Sequence, residues 1–375
     1  MLIKHLQLQN FRNYSKKEFG FSDKTTLVVG PNASGKTNLL EAIYLLATAK
    51  SFRADLESEM IGYGKEIARA TGEIEGHGGK EKLEIILTTG MLQNEKVARK
   101  KCLVNGVAKR QMDFIGQLRA VYFGPEDLEL VTDSPSTRRK YLDMVLTQVD
   151  REYTRALLSY EKGLRARNKV LEAIRETGAP RSQLYFWDQL LIKNGELMTK
   201  KREEFIEFIN KYQSFGGLPS TPSTSLRTSS LRTGSFQYRL EYDKSVISTQ
   251  RLEQYKEEEV AAGATLVGPH RDDWKILMGD LSGKEDIGKD ISAYGSRGEQ
   301  RLAILWLKLC ELAFIKETTD ELPVLLLDDI FSELDKEHRE TVWDLVGNQQ
   351  TIITTADIEQ IDKENRLKTE LIELK

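Results

Sequence analysis

The spacing of apolar residues changes period several times along the chain, and each change predicts a different kind of element. Residues 2 to 9 and 25 to 29 (TTLVV) read as strands, the second a short β-branched run of the sort a parallel strand buried on both faces carries. It stops at Gly30. From Lys36 to about Thr48, Leu39, Leu40, Ile43, Leu46 and Ala47 recur at three and four, which predicts a helix with one buried face. Between about 65 and 120 the period drops to two in ARATGEIEG, KLEIILTT and KKCLVNGVAKR, the last folded on Asn105-Gly106, so an antiparallel sheet is expected. From about Ser136 to Tyr212 the helical period returns. Tyr153, Leu157, Tyr160 and Leu164 share one face and Leu190, Leu197, Phe205 and Ile209 another, with Gly178-Ala179-Pro180 between them. That pattern predicts an antiparallel helical arm inserted between the halves of something else.

Residues 213–235 differ in kind: a Ser/Thr/Gly/Pro-rich stretch with a tandem five-residue repeat, Ser225 to Ser229 and Ser230 to Gly234, too polar to order itself. FQYRLEY then reads as a strand, residues 248 to 261 as a polar helix, and the C-terminal block begins at Gly268. The expected division is 1–123 and 236–375 as two parts of an α/β head, with 124–235 as the inserted arm. A length of 375 residues fits two or three domains at about 150 residues each.

Composition narrows this only slightly. The 55 basic and 58 acidic side chains leave a net charge of −3, which excludes a polycationic nucleic-acid coat and leaves room for local basic patches. Cys102 and Cys310 stand far apart in apolar surroundings, with neither disulfide nor metal-ligand spacing, and read as reduced core residues. The opening MLIKHLQLQNF lacks the apolar run of a signal peptide, and no window reaches the roughly 18 apolar residues of a membrane span, so a cytoplasmic protein without membrane contact is expected.

The chemistry lies in three segments. Gly30-Pro31-Asn32-Ala33-Ser34-Gly35-Lys36-Thr37 fits G-x-x-x-x-G-K-[ST] between a predicted strand and a predicted helix, as a phosphate loop requires. Backbone N–H groups turned inward by the glycines, together with the helix N-terminus, hold the β-phosphate of ATP; Lys36 neutralises β- and γ-oxygens and the Thr37 hydroxyl ligates Mg²⁺. Val324 to Leu327 form an apolar run ending in Asp328 and Asp329 at a strand's carboxyl end, where open α/β sheets bind ligands. Asp328 is expected to hold Mg²⁺, directly or through water, and Asp329 to orient or deprotonate the attacking water. The third is Tyr294-Gly295-Ser296-Arg297-Gly298-Glu299-Gln300, opening a long apolar helix; alone it is also what a well-capped core helix looks like.

A Ser-x-Gly-Glu-Gln helix start followed by strand and acids resembles the signature motif of ABC-type ATPases. The resemblance implies that Ser296, Gly298 and Glu299 meet the γ-phosphate on a second subunit, and that Ser332-Glu333-Leu334-Asp335 is a D-loop at the seam. LQNFRNY (8 to 14), GPNASGKTNLLEAIYLL (30 to 46), KSFR (50 to 53), GPEDLELV with SPSTRRKYLD (124 to 143), GPHRDD (268 to 273) and LLLDDIFSELD (325 to 335) together resemble the RecF family. It implies an ABC/SMC-like ATPase head with an antiparallel β lobe and a short helical arm. It also implies an ATP-dependent homodimer on double-stranded, gapped or single-stranded DNA in recombinational repair and replication restart. RecR and RecO are the implied partners, and RecA is served indirectly. Asn38 and, through the KSFR segment, Arg53 are expected at the nucleotide. The GPHRDD residues are either a structured site near the head or a salt-bridged turn, and His270 is not read as catalytic.

Departures from the wider ATPase pattern bear on rate. Ala33 stands where many relatives have Gly; Asp329 replaces the catalytic Glu of transporter ATPases; and the strand TIITT (351 to 355) has no switch histidine, leaving Thr354 or Thr355 for a weaker hydroxyl contact. A weak, dimer-gated ATPase is expected rather than a motor. The competing reading is the nucleotide-binding subunit of an ABC transporter, which needs membrane partners and a switch histidine and has no helical arm. A small-molecule kinase gives no reason for the signature helix. Candidate DNA contacts are Lys96, Arg99, Lys100 and Lys101, then Arg138, Arg139 and Lys140, then Arg165, Arg167 and Lys169, all as phosphate contacts with little sequence preference.

Overall fold

The computed structural model describes the chain apart from residues 77, 93, 213–235, 281–287, 333–338, 341, 344, 345 and 362, so the expected flexible loop at 213–235 and most of the SELD segment lie outside the described residues. Contacts divide the chain into two units, Met1–Asp127 with Glu311–Lys375, and Leu128–Cys310. The breaks expected at 123/124 and 235/236 therefore fall at 127/128 and 310/311. The first is close. The second moves because the strand after the loop and the Ser296 helix start pack with the arm.

In the first unit, β1 (Leu2–Phe11), β2 (Tyr14–Gly20), β3 (Thr25–Val29), β4 (Ile67–Gly76) and β5 (Gly79–Thr88) are followed by the short hairpin β6 (Met91–Leu92) and β7 (Glu95–Lys96). Then come β8 (Lys100–Val104), β9 (Val107–Lys109) and β10 (Ala120–Phe123). A six-stranded antiparallel sheet runs β2-β1-β4-β5-β8-β9. Its last turn has Asn105 at φ 52° and Gly106 at φ 78°, the paired left-handed conformation of a two-residue hairpin loop. The helix Lys36–Thr48 lies so close to β4 that a Cβ on Gly72 would come within 2.7 Å of the Leu46 side chain.

β14 (Val324–Asp328), β15 (Thr351–Thr355) and β16 (Glu370–Glu373) come from the far end of the chain and join β3 and β10 in a five-stranded parallel sheet, order β10-β14-β15-β3-β16. All residues of β10, β14 and β15 are buried, which is why these segments read as apolar runs instead of alternating ones. Gln350, 2% exposed, ties the two sheets together: its carbonyl accepts the Ile3 N–H at 2.7 Å, and its amide donates to the Ile3 carbonyl at 2.7 Å and the Ser22 carbonyl at 2.8 Å.

The second unit holds the arm. Helices Arg151–Thr177 and Tyr185–Tyr212 form a hairpin, entered from Pro135–Val149, whose proline sits in the first turn, where its missing N–H costs nothing. Gly178 ends the first helix at φ 68°, and Gly163 lets the two approach: a Cβ there would fall 2.5 Å from Leu190. The buried stripe of the second helix is Leu191, Gly195, Met198, Arg202, Phe205 and Ile209. Phe205 and Ile209 lie where the expected stripe put them, whereas nearer the start of the helix Leu191 and Met198 are buried and the expected Leu190 and Leu197 are only half-buried. The polar helix expected at 248–261 is two short ones, Thr249–Gln254 and Lys256–Ala262, broken at Tyr255. A three-stranded sheet, β11 (Phe236–Asp243), β12 (Asp273–Asp280) and β13 (Lys289–Asp290), completes the unit.

The GPHRDD segment is a salt-bridged turn. Arg202, 1% exposed, donates to Asp272 and Asp143, each at 2.8 Å, to the Pro269 carbonyl at 2.7 Å and to the Tyr153 hydroxyl at 3.0 Å. Arg138 forks onto Asp273 at 2.6 and 3.0 Å. His270 Nε2 donates to the Thr265 carbonyl at 3.0 Å and Nδ1 accepts from the Tyr160 hydroxyl at 2.8 Å, so the ring is spent on structure. Burial, with the charges of Arg271, Arg139 and Arg167, outweighs that carbonyl bond and pushes the imidazole down to about 4.

Arg202→Leu leaves Asp272 and Asp143 without their shared cation and is expected to lower the free energy of urea unfolding by about 3–5 kcal/mol. Because His270 takes up its proton near 6.5 when unfolded and near 4 when folded, stability falls as pH drops through that window. Wild type is expected to lose roughly 2 kcal/mol more than His270→Gln between pH 7 and pH 5.

Candidate nucleotide site

The sheet order brings the first two motifs to one edge. β15 alone separates β14 from β3, with Asp328 opposite Thr354 and Thr354 opposite Val28, so the acids and the loop leave the same end of the sheet. The loop is tied at both ends. The Gly30 N–H donates to the Thr355 carbonyl at 3.3 Å, and the Tyr14 hydroxyl donates to the Gly35 carbonyl at 3.0 Å. Gly35 stands at φ 103°, and a Cβ on it would come within 2.8 Å of Asn13 and Tyr14, so no other residue fits. Ala33 keeps its Cβ at φ 66°, a left-handed conformation that costs a non-glycine residue of order 1 kcal/mol.

Lys36 is buried, its ammonium donating to the Gly30 carbonyl at 2.7 Å and the Pro31 carbonyl at 3.0 Å. Thr37 and Asn38 are half-buried on the first helical turn, and Pro31, Asn32 and Ala33 are exposed above Ser34. Arg53 reaches this turn. It bonds the Asn38 side-chain carbonyl and donates to Glu41 at 2.9 Å.

At the acids, Asp328 accepts from the Thr354 hydroxyl at 2.5 Å and the Tyr122 hydroxyl at 3.2 Å. Tyr122 also meets Glu126 at 2.5 Å and stacks on Phe52 at 3.8 Å between ring centres. Burial holds Glu126 above the usual carboxylate range, the charges of Asp328 and Asp127 adding to burial against the Tyr122 bond. Asp329 sits at φ 49°, and its Oδ1 is buried without a hydrogen-bond partner among the described residues. The threonines expected in the switch-histidine position are both engaged, Thr354 on Asp328 and Thr355 on the backbone of Asp357 at 3.0 Å.

The signature segment lies in the other unit, at the start of helix Arg297–Thr319. The Ser296 N–H donates to the Glu299 carboxylate at 2.7 Å and the Glu299 N–H to the Ser296 hydroxyl at 3.3 Å, a reciprocal capping box that holds Glu299 below its usual range. The capped-helix reading of this stretch holds. The helix is well capped, and its start is a surface, with Ser296, Arg297 and Gly298 exposed.

Several basic candidates for DNA turn inward. Arg167, 2% exposed, bonds Asp188 at 2.7 Å, Glu259 at 2.7 Å and Thr265 at 2.9 Å. Arg139 donates to the Asp272 carbonyl at 2.8 Å, and Lys100 donates to the Ala49 carbonyl at 2.9 Å and to Glu57 at 2.5 Å. Lys96, Arg99, Lys101, Arg165 and Lys169 remain exposed. Sequence reasoning missed Arg12, Asn13, Glu41, Ser51, Tyr122 and Glu126. The signal available for Glu41 was a carboxylate standing in the apolar run LLEAIYLL.

The family described as the RecF/RecN/SMC N terminal domain matches residues 2–371. The DNA replication and repair protein RecF of Lachnoclostridium phytofermentans is 34% identical over 376 residues, covering 99% of this chain and 97% of that protein. The protein of the same name from Thermomicrobium roseum is 38% identical over 361 residues, covering 90% and 89%. A solved structure of the recombination mediator protein RecF-ATP in the RecFOR pathway superposes with a TM-score of 0.82 at 31% identity, covering 96% of this chain and 93% of that one. Matched nearly end to end by sequence and by structure, with a phosphate loop and a strand-end acid pair at one sheet edge, the chain belongs to the RecF family of SMC-like ATPases.

Proposed function

We propose that this chain is a Mg-dependent, ATP-binding DNA-repair protein that pairs with a second copy when ATP is bound and holds DNA until slow hydrolysis releases it. The observation that carries the reading is the common sheet edge of the Gly30–Thr37 loop and Asp328/Asp329. Family membership adds DNA repair, and the ATP named with the solved relative adds the nucleotide.

The residues present fit both groups. Gly35 leaves the loop backbone bare where a Cβ would collide, and Lys36 already points its ammonium at the loop carbonyls. The Thr37 hydroxyl and the Asp328 carboxylate are the hard oxygen donors that Mg²⁺ takes. When bound, Mg²⁺ neutralises charge on the terminal phosphates. Thr354 and Tyr122 fix the Asp328 carboxylate through their hydroxyls. Asp329 Oδ1, desolvated and unpartnered among the described residues, is an acceptor for the proton of an attacking water. Its side chain is one methylene shorter than the glutamate of faster ATPases, and Thr354 and Thr355 are engaged elsewhere, both of which favour slow turnover.

The exposed start of helix Arg297–Thr319 supports pairing: Ser296 and Gly298 offer a hydroxyl, N–H groups and a helix dipole to the γ-phosphate on a second copy. Lys96, Arg99, Lys101, Arg165 and Lys169 are the cations open to DNA phosphates, and RecR and RecO are the partners through which such a dimer serves RecA.

Sedimentation with Mg-ATP is expected to convert the wild type from monomer to dimer, while Lys36→Met and Ser296→Arg stay monomeric. Asp329→Asn is expected to dimerise, keep its grip on DNA, and hydrolyse ATP roughly a hundredfold more slowly. Copies that stay single at saturating nucleotide, with duplex binding unchanged, would end this reading.

A further inference from the structure

Glu41 is buried completely in the loop helix, yet Arg12, Ser51 and Arg53, which hydrogen-bond its carboxylate, all lie outside that helix. Oε1 accepts from Arg12 Nη2 and from the Ser51 hydroxyl, each at 2.6 Å; Oε2 accepts from Arg12 Nε at 2.8 Å and Arg53 Nη2 at 2.9 Å. Burial raises its pKa, but the bonds from Arg12, Arg53 and Ser51 outweigh burial and hold the carboxyl below its usual range, so it is ionised. Ser51 also fixes the backbone of the arginine, accepting from the Arg53 N–H at 3.1 Å and the Ala54 N–H at 2.8 Å.

Two guanidinium groups converge on one carboxylate, leaving one positive charge in surplus. That charge stands at the first turn of the loop helix, where Arg53 bonds Asn38 and the helix N-terminus already carries partial positive charge, so an arriving anion relieves it. A bridge serving stability alone needs one arginine, and Arg53 keeps 30% of its side chain exposed.

The direction of the surplus follows from the hydrogen bonds. Arg53 bonds Asn38, the Asn38 amide donates to Asn13 at 2.7 Å, and the Asn13 amide donates to the Ser34 carbonyl in the loop at 3.3 Å. Lys36 and Thr37 address the β- and γ-phosphates and the metal. Asn38 is turned about 100° further around the helix and addresses what they leave, the α-phosphate end.

We propose that Glu41 is a positioning residue that fixes Arg12 and Arg53 so that Arg53, with Asn38, binds the α-phosphate end of the nucleotide, the part that ADP and ATP share. The inference rests on the ATP-binding reading above. It differs from a γ-phosphate sensor in treating the two nucleotides alike.

Calorimetric titration of Mg-ATP and Mg-ADP into wild type, Glu41→Gln, Arg53→Ala and the double variant, with Tm measured in parallel, tests it. Each single variant is expected to weaken both nucleotides by the same factor, roughly ten- to a hundredfold, the scale of one charge-assisted hydrogen bond. The double variant is expected to bind no more weakly than Arg53→Ala, because Glu41 acts through Arg53. A lowered Tm with unchanged affinities, a loss confined to ATP, or additive losses each overturn the proposal. If Glu41→Gln does not fold, Ser51→Ala, which removes one donor from Oε1, is expected to give a smaller loss of roughly threefold, equal for both nucleotides; unchanged affinities overturn it. A wild type that binds neither nucleotide overturns the ATP-binding reading itself, whereas a wild type that binds both beside an unaffected variant overturns only the role of Glu41.

Discussion

The parallel pairing of β3 with β15, and of β15 with β14, is the constraint on which the site depends. Strands stand about 4.8 Å apart, so one intervening strand sets the Asp328 position roughly 10 Å across the sheet from Val28, two residues before the loop. Nothing local holds Gly30 near Asp328; almost three hundred residues of chain lie between them. The hydrogen-bonded register does, and a one-residue slip of β14 would turn Asp328 to the opposite face of the sheet. Because these strands are buried on both faces, apart from the half-buried Val29, burial alone would tolerate a slip, and the backbone ladder fixes the register.

Around that edge, hydroxyls and guanidinium groups fix the acids. Thr354 and Tyr122 anchor Asp328, while Arg12, Arg53 and Ser51 anchor Glu41. Phe52 links the two groups covalently and by stacking: it precedes Arg53 in the chain and lies on the Tyr122 ring. A movement of the 50–54 segment would therefore be felt at both the loop helix and the strand-end acid, which is how a nucleotide-dependent change can travel through packed side chains rather than through a flexible tether.

Local signals made much of this legible. β3, the loop helix and the Asn105-Gly106 hairpin were set by β-branching, a 3.6 period and the need for two left-handed residues, and all three lie where expected. What failed to show were the charges whose partners are distant in sequence. Arg138 and Arg139 read as candidate DNA contacts because Asp272 and Asp273 lie more than 130 residues away, and Arg167 finds Glu259 across a shorter but still long gap. The arm stripe was read one residue off at Leu190 and Leu197, where Leu191 and Met198 are buried instead, and a pattern of apolar positions could not include Arg202, though its guanidinium is the most buried polar group of that face. The unit boundary moved because strand 236–243 packs on the second arm helix, where the Asn210 side chain bonds both the N–H and the carbonyl of Leu240, a contact that periodicity does not reveal.

Gln350 has a consequence of its own. Its amide offers Ile3 one acceptor and one donor, the same pair a neighbouring strand residue would present, so a single side chain serves as an extra rung of a ladder. Sliding the first strand by one step would leave those buried groups unpaired, at the desolvation cost of each. The molecule thus carries an internal gauge: the two sheets fit together at one setting, and any nearby misfit is rejected by its unsatisfied atoms rather than by lost oil-like contact.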